Sequence, residues 1–573
     1  MYDYLIELIN QELYEDVLTA LEKYDMDTCT EELAIIAVSA FLAVGDYDQA
    51  KRYLQLGLHI NPQSHELYLL LGNYFEHSNI MQAYLCYENA ELYCDNESDR
   101  IVLQSFRQEL EASITAVPKI TIVVLALSSL NILKKCIESI RKNTADGVCE
   151  IIVVDNACTE ETAEWLERQE DIVLVKNQEE KGILYSCNQG IKAADPNADI
   201  LLLDSDTVLL PNSLFWLRMG LYEDAGRGAV GSVANYSENG QDCSKKYDSI
   251  DEYTRYALNN NIWTDNPYEV KFFLERFAML LRREAIDGIG LTDVRFAPNQ
   301  FEDKDWGLRL CMAGWQIILC HNSLVYRCGA GCNEAVAKNT YQTNRDRFRE
   351  KWSFDIAYYI HARKEIIGLI NADKYETIHV LEIGCGLGAT LAEIQYLYPN
   401  AQVYGMELVP EVVTVGKKVL NVVQGDIEKI DVPFDNVEFD YIILADVLEH
   451  LHNPENILRK LTKRLKKGGA FLCSIPNIMN LSVLYPLVCG SFVYEDSGIL
   501  DRTHLRFFTL DSIYRLFNQC GFDIEKLGYT VDDAVLEGKY KECLECILKV
   551  PGCADEKLFL AFQYFFRAVK KRN

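Results

Sequence analysis

The stretch that most restricts what this chain can fold into is Val380-Leu-Glu-Ile-Gly-Cys-Gly-Leu-Gly388, an apolar run that meets an acid and then carries glycine at alternate positions. Such a run reads as a buried strand, and alternating glycines cannot extend it. Glycine lets the backbone turn tightly and approach a bulky ligand, because no Cβ intrudes. The stretch therefore predicts a strand, a tight turn and a helix, the opening unit of a layered α/β domain with a ligand at the turn. Dinucleotide-binding proteins use nearly the same device, so the glycines alone leave the ligand open.

The chain has 573 residues, room for three or four domains at roughly 100–200 residues each. A hydrophobic content of 49% with 25% charged residues allows each domain a core. The formal charge of −30, from 86 acidic against 56 basic residues, repels phosphate backbones, and basic residues gather only in short clusters such as Lys466-Lys467 and Lys570-Lys571-Arg572. Nucleic acid is excluded as a partner. The 19 cysteines are scattered, which suits free thiols in a reducing cytosol, and the close pairs Cys328/Cys332 and Cys543/Cys546 lack a matching second pair for zinc. The stretch Met1-Tyr-Asp-Tyr-Leu-Ile-Glu lacks the basic n-region of a signal peptide, and no run approaches the ~18 apolar residues of a membrane span. No transmembrane segment and a cytoplasmic location are expected. The apolar Leu558–Val569, ending in Lys-Lys-Arg, reads as an interfacial amphipathic helix with peripheral membrane contact, while its Gln563–Val569 stretch more closely resembles the final antiparallel strand of a known α/β family.

Residues 1–115 carry helical spacing with almost no proline. Gly45-Asp-Tyr47-Asp-Gln-Ala50, Leu54, Gly57 and Pro62 return as Leu71-Gly72, Phe75, Ala83, Tyr87 and Ala90. That recurrence resembles the tetratricopeptide repeat, whose period is ~34 residues; a plain antiparallel bundle is the other reading. Either one implies a docking surface for a protein partner. After Pro118, Lys119–Leu125, Glu150–Asp155, Ile172–Val175 and Ile200–Leu203 read as buried parallel strands of an α/β domain over 118–352. A linker helix is expected at about 354–371, within 353–374. A second α/β domain then spans 375–573, with strands at Ile378–Ile383, Gln402–Met406, Val422–Gln424, Phe439–Leu444 and Ala470–Ser474.

In the middle domain Asp155 ends one strand and Asp204-Ser-Asp206 ends another, placing carboxylates at the edge where open α/β sheets bind ligands. An Asp-x-Asp pair can put one carboxylate on a divalent metal and the other near a ribose. With Lys181-Gly182 through Asn188-Gln-Gly190, and Phe301-Glu302-Asp303-Lys-Asp305-Trp-Gly-Leu-Arg309 ahead of Ala313-Gly-Trp315, the segment 119–350 resembles the GT-A glycosyltransferases of family 2. The resemblance implies a GT-A fold, a nucleotide-sugar donor and a Mg or Mn ion. By position, Asp155 contacts the base, Asp204 and Asp206 serve ribose and metal with Asp206 on the metal, and Asp303 is the base for an inverting displacement. Glu302 and Asp303 also suit a helix N-terminus. Two positions depart from the family: Ala126-Leu127-Ser128 replaces its usual Thr-Tyr-Asn, and Arg327 stands where a histidine commonly follows Val-Tyr and completes the metal site.

In the last domain the second strand ends at Glu407, about twenty residues past the glycines, and Gly425-Asp426-Ile427 follows the third. With Phe439-Asp440-Tyr441 these resemble the class I methyltransferases, a Rossmann-like α/β fold, over the whole of 375–573. The resemblance implies S-adenosyl-L-methionine as cofactor, its amino-acid end on Glu382, Gly384, Gly386 and Gly388, its ribose on Glu407 and its adenine beside Asp426 and Ile427. Ala445-Asp446-Val-Leu-Glu449-His450-Leu resembles the small-molecule O-methyltransferases, including those of ubiquinone biosynthesis. There, acids and a histidine at this point face the acceptor or a divalent ion, which makes Asp446 and Glu449 acceptor residues and His450 a general base or a structural residue. Gly498–Thr509 occupies the place of an acceptor lid and offers Asp501, His504 and Arg506. Thr509 with Asp511 close behind also reads as a helix cap.

The sequence thus predicts a multidomain transferase: an all-α repeat domain, a GT-A domain and a methyltransferase domain, with a nucleotide sugar and a glycan or glycosylated acceptor as partners. Linking the two activities raises the effective concentration of one site for the other's product. A methyltransferase with a degenerate, binding-only sugar domain is one alternative. A repeat-based scaffold for glycan assembly is another.

Overall fold

The computed structural model describes residues 2–571 other than 24–25, 114–116, 146, 238 and 330–333, and divides into two compact units, Met1–Lys351 and Trp352–Asn573. The first begins with helices Tyr2–Asn10, Tyr14–Leu21, Glu31–Val44, Tyr47–Ile60, His65–Phe75, Ile80–Tyr93 and Glu97–Ser113. Four starts are set by short polar side chains that accept a first-turn amide: Thr30, Asp46, Ser64 and Asn79. Gly45, left-handed at φ 80°, ends one helix and opens the short link to the next.

One face of this helical region packs on the helix Ser213–Tyr222 of the same unit. Gln82 donates to the Met219 carbonyl at 3.0 Å, Tyr93 to Asn212 Oδ1 at 2.7 Å, and Arg218 forms a buried ion pair with Glu88. Part of the predicted docking surface therefore serves an internal contact.

The unit's sheet contains β1 (Ile120–Ala126), β2 (Cys149–Asn156), β3 (Ile172–Asn177), β4 (Asp199–Asp204), β5 (Thr207–Leu209), β6 (Arg227–Ala234), β7 (Tyr268–Lys271), β8 (Ala278–Leu281) and β9 (Gln316–Arg327). Their order is β3-β2-β1-β4-β8-β6-β9-β5, with β7 also on β9. The first four are parallel, as the apolar runs predict, but β8 joins β4 antiparallel, so the sheet is mixed. Gly190 explains how closely the helix Ile183–Ala193 lies on it: a Cβ there would stand 2.3 Å from Val123 Cγ1.

The second unit has β10 (His379–Ile383), β11 (Gln402–Glu407), β12 (Val422–Gln424), β13 (Phe439–Ala445), β14 (Leu465–Pro476), β15 (Phe522–Val531) and β16 (Ala561–Lys570), ordered β12-β11-β10-β13-β14-β16-β15. The apolar tail is β16, antiparallel to β14 and β15, rather than an interfacial helix. The expected linker helix is corrected as well. Only the single turns Ile356–Tyr358 and Lys364–Ile367 form between 354 and 371, and the segment between them is an irregular strap whose Tyr359 carbonyl accepts the Leu387 amide of the glycine turn at 3.3 Å. No helix among the described residues is long and apolar enough to cross a membrane. The described cysteines are free thiols, and Cys332 lies outside the described residues.

Candidate active sites

The carboxyl ends of β1, β2 and β4 gather the acids of the first site. Asp155 is buried at the end of β2, where Oδ1 accepts the Cys158 amide at 2.8 Å. Its neighbour Asn156 accepts the Lys181 amide at 3.0 Å, tying in the Lys-Gly segment. Asn188 exchanges hydrogen bonds with the Thr292 backbone. Ser128 is accommodated by Ser205, whose Oγ accepts both the Leu127 and Ser128 amides at 3.2 Å and donates to Ser128 Oγ at 3.0 Å.

Arg276, which carried no signal in the sequence, is the hub here: Nε lies 3.6 Å from Asp204 Oδ1, and Nη1 donates to Glu302 Oε1 at 2.7 Å. Asp303 follows in the first turn of the helix Glu302–Met312. Gln300 and Phe301 enter that helix with φ of 74° and 73°, a left-handed approach that costs non-glycine residues and fixes where the two acids emerge. Burial raises the Asp303 carboxyl above the usual range, and the adjacent Glu302 adds to the shift. Burial disfavours the Arg276 charge, but Asp204, Asp303 and Glu302 outweigh it and hold its proton firmly. Asp305 plays another part, buried and paired with Arg309 at 3.0 Å and Lys351 at 2.6 Å.

The residues around Asp206 do not fit the divalent ion expected there. Arg327 ends β9 directly across from Thr207, with Nη2 3.9 Å from Asp206 Oδ2 and Nη1 3.7 Å from Glu275 Oε2. A guanidinium stays protonated and cannot ligate, so a fixed positive charge stands beside the proposed ligand.

In the second unit β10 ends on the glycine turn. Gly384, Gly386 and Gly388 have φ of 69°, 57° and 102°. A Cβ on Gly386 would meet the Tyr359 backbone at 3.1 Å, and the Leu387 amide donates to the Tyr359 carbonyl at 3.3 Å. Glu407 points back at this turn: Oε2 accepts the Gly386 amide at 2.9 Å, while Oε1 accepts those of Leu408 and Val409. Glu382 is buried, and its Oε2 has no hydrogen-bond partner. Burial pushes its carboxyl up to about 8, although Thr390 and Arg363 work against the shift. An orphaned acceptor beside a cradle of bare backbone fits the ammonium end of S-adenosyl-L-methionine. Asp426 is half-buried, accepts the Glu428 amide at 3.0 Å and pairs with the exposed Lys429, while Ile427 is buried.

Beyond the turn, Asp446 adopts φ 56° and is held on several sides. Ser474 donates to its Oδ1 at 2.8 Å, and Gln563 and Arg363 complete the network. Sequence reasoning missed Arg363, Ser474 and Gln563, which meet only once β14, β16 and the strap are assembled.

Glu449 is 1% exposed, and neither carboxylate oxygen has a partner. Burial, aggravated by Asp446, holds its proton well above the usual carboxylate range. One carboxylate oxygen of Glu449 and one ring nitrogen each of His450 and His504 lie within 4.8 Å of one another, a set able to receive an acceptor hydroxyl or a divalent ion. His450 Nδ1 lies 3.2 Å from the Thr503 carbonyl, and Thr503 in turn donates to Asp501 at 2.6 Å. Burial and the nearby His504 lower the His450 pKa. Arg506 is set apart, exposed and donating to the His452 carbonyl. Thr509 does cap the following helix, accepting the Ser512 amide.

Residues 121–290 match the glycosyl transferase family 2 model, and residues 352–527 match a methyltransferase domain model. The chain is 25% identical over 200 residues to a demethylmenaquinone methyltransferase from Geobacillus, covering 31% of this chain and 85% of that protein. It is 28% identical over 159 residues to a ubiquinone biosynthesis O-methyltransferase from Cereibacter sphaeroides, covering 26% and 62%. A solved mannosyltransferase from Pyrobaculum calidifontis, in complex with GDP-Man and Mn2+, is 15% identical with a TM-score of 0.31, covering 48% of this chain and 76% of that one. The chain is an enzyme that carries a family 2 glycosyl transferase domain followed by a methyltransferase domain.

Proposed function

We propose that the chain transfers a sugar from a nucleotide sugar to a glycan or glycosylated acceptor with inversion, and methylates a glycan or related acceptor, most simply on oxygen. The observation that carries the first activity is the junction of Asp204, Glu302 and Asp303 around Arg276. It brings the nucleotide-binding edge and a general base into one cluster. The acceptor oxygen bonds to the anomeric carbon as that carbon's bond to the diphosphate oxygen breaks, and Asp303 takes the hydroxyl proton. Attack opposite the leaving group inverts the centre.

For the second activity, Glu382, the glycine turn, Glu407 and Asp426 with Ile427 hold S-adenosyl-L-methionine, which supplies an electrophilic methyl group when bound. His450, kept neutral by its surroundings, takes the acceptor's proton, and Glu449 and His504 orient the acceptor beside it. Asp446 is a positioning residue, and Asp501 acts through Thr503. The helical region, read as tetratricopeptide-like, keeps its remaining surface for a protein partner in glycan assembly.

Incubating the full chain with a panel of nucleotide sugars, labelled S-adenosyl-L-methionine and short glycans, with mass spectrometry of the products, tests both activities. Asp303→Asn is expected to abolish sugar transfer alone, and His450→Gln methyl transfer alone. The pairing of Asp206 with Arg327 favours a second reading, in which the sugar domain only binds. Methylation without turnover of any sugar donor would establish it.

A further inference from the structure

The guanidinium of Arg327 is the one cation in contact range of Asp206 among the described residues, and its surroundings are unusual. It lies over the rings of Tyr236 and Phe277, whose centroids are 4.5 and 5.0 Å from its central carbon. Its side chain is 14% exposed. The approaches to Asp206 and Glu275, 3.9 and 3.7 Å, exceed hydrogen-bonding length. Its buried Nε has no partner. A planar cation with five donors is thus positioned by ring stacking and long-range attraction, while its donors stay uncommitted. Leaving buried guanidinium donors unpaired is costly unless an anion arrives to accept from them.

A divalent ion on Asp206 would sit within a few ångströms of this permanent charge and meet no neutral nitrogen on β9 to complete its shell. Across the cluster, Arg276 stands between Asp204 and Glu302 as Arg327 stands between Asp206 and Glu275. Each guanidinium lies between two carboxylates, but only Arg276 donates a hydrogen bond to one of its pair, Glu302. Lys304 and Lys135 add positive charge at the margins.

We propose that this site binds the diphosphate of its nucleotide-sugar donor without a divalent cation, the Arg327 guanidinium taking the place of the ion. The inference rests on reading the carboxyl edge of β1, β2 and β4 as a nucleotide-sugar site. It departs from the metal dependence that the Asp-x-Asp pair suggests. Arg327 donates to the diphosphate oxygens, and Asp206 orients the guanidinium instead of ligating metal.

The test is calorimetric titration of the full chain with uridine, guanosine and thymidine diphosphates, in excess EDTA and again with Mn2+. At least one should bind with a Kd that differs by less than about twofold between the two conditions. Arg327→Gln should weaken it by about tenfold or more in EDTA, as expected for losing a charge-assisted pair. Arg327→Lys, which keeps the charge but not the planar fork, should bind in EDTA more tightly than Arg327→Gln and less tightly than the native chain, and an unchanged far-UV circular dichroism spectrum in both variants guards against misfolding as the cause. Arg327→His should make binding depend on Mn2+. Binding by the native chain only with Mn2+ overturns the inference and leaves the sugar-transfer reading standing. Binding in EDTA that Arg327→Gln leaves unchanged also overturns it. If no nucleoside diphosphate binds in either condition, both the inference and the reading beneath it fail.

Discussion

The amide of Gly386 donates to Oε2 of Glu407 at 2.9 Å, so one hydrogen bond joins the turn after β10 to the end of β11. The acid assigned to ribose is therefore positioned before any ligand arrives. Glu407→Gln should keep the fold but weaken S-adenosyl-L-methionine binding about tenfold or more, the scale of a hydrogen bond to a charged group. Calorimetry checks this, and unchanged affinity would remove Glu407 from the site. Gly386→Ala should fare worse, because φ 57° strains any side chain and Tyr359 stands 3.1 Å from the new Cβ.

As the proposed base, His450 should set the acid limb of methyl transfer. Only neutral imidazole can take a proton, and burial with His504 lowers its pKa from 6.5. Activity should therefore hold through neutral pH and fall only as pH drops below that value. His450→Gln should lose about 10²–10⁴-fold in kcat while S-adenosyl-L-methionine still binds. A variant that keeps both its rate and the acid limb would rule His450 out as the base.

Asp303 should show the opposite problem. Its carboxyl is raised by burial and by Glu302, yet the base form is the carboxylate. The kcat/KM for sugar transfer should rise with pH through a midpoint well above the usual carboxylate range, then level off. Asp303→Asn should abolish turnover and leave nucleotide binding intact. A flat profile down to pH 5 would contradict the assignment.

Glu88 and Arg218 form a buried pair between the helical region and the sheet-bearing part of the same unit. Glu88→Ala should destabilise that unit by about 3–5 kcal/mol, because it leaves a guanidinium charge buried. Replacing both residues with leucine should recover much of the loss. Urea unfolding followed by tryptophan fluorescence reads the difference, since Trp216 lies on the helix carrying Arg218.

The sequence determined a good deal. Short-range signals announce themselves locally: β-branched runs gave β1 to β4 and β10 to β14, the glycines at 384, 386 and 388 marked a turn, and Asp155, Asp204 and Glu407 were visible where strands ended. The apolar tail was read as an antiparallel strand through its resemblance to a family's last strand, and its pairing with β14 and β15 bears that out. Other features had no local mark. The expected linker helix is instead a strap, in which Tyr359 packs against Gly386, a contact across 27 residues that no local pattern announces. The short strands β5, β7 and β8, flanked by irregular chain, offer too few residues for a period to show.

Only the tertiary structure decided which groups the acids meet. It set Arg276 between Asp204 and Glu302, Arg327 against Asp206, and Arg363 on Asp446, pairs separated in the chain by 26 to 121 residues. Spacing along the chain carries no information about such contacts, since they exist only where strands distant in sequence end at one edge. Charge pairing and desolvation act through space, and they turned a run of familiar acids into two sites of different character.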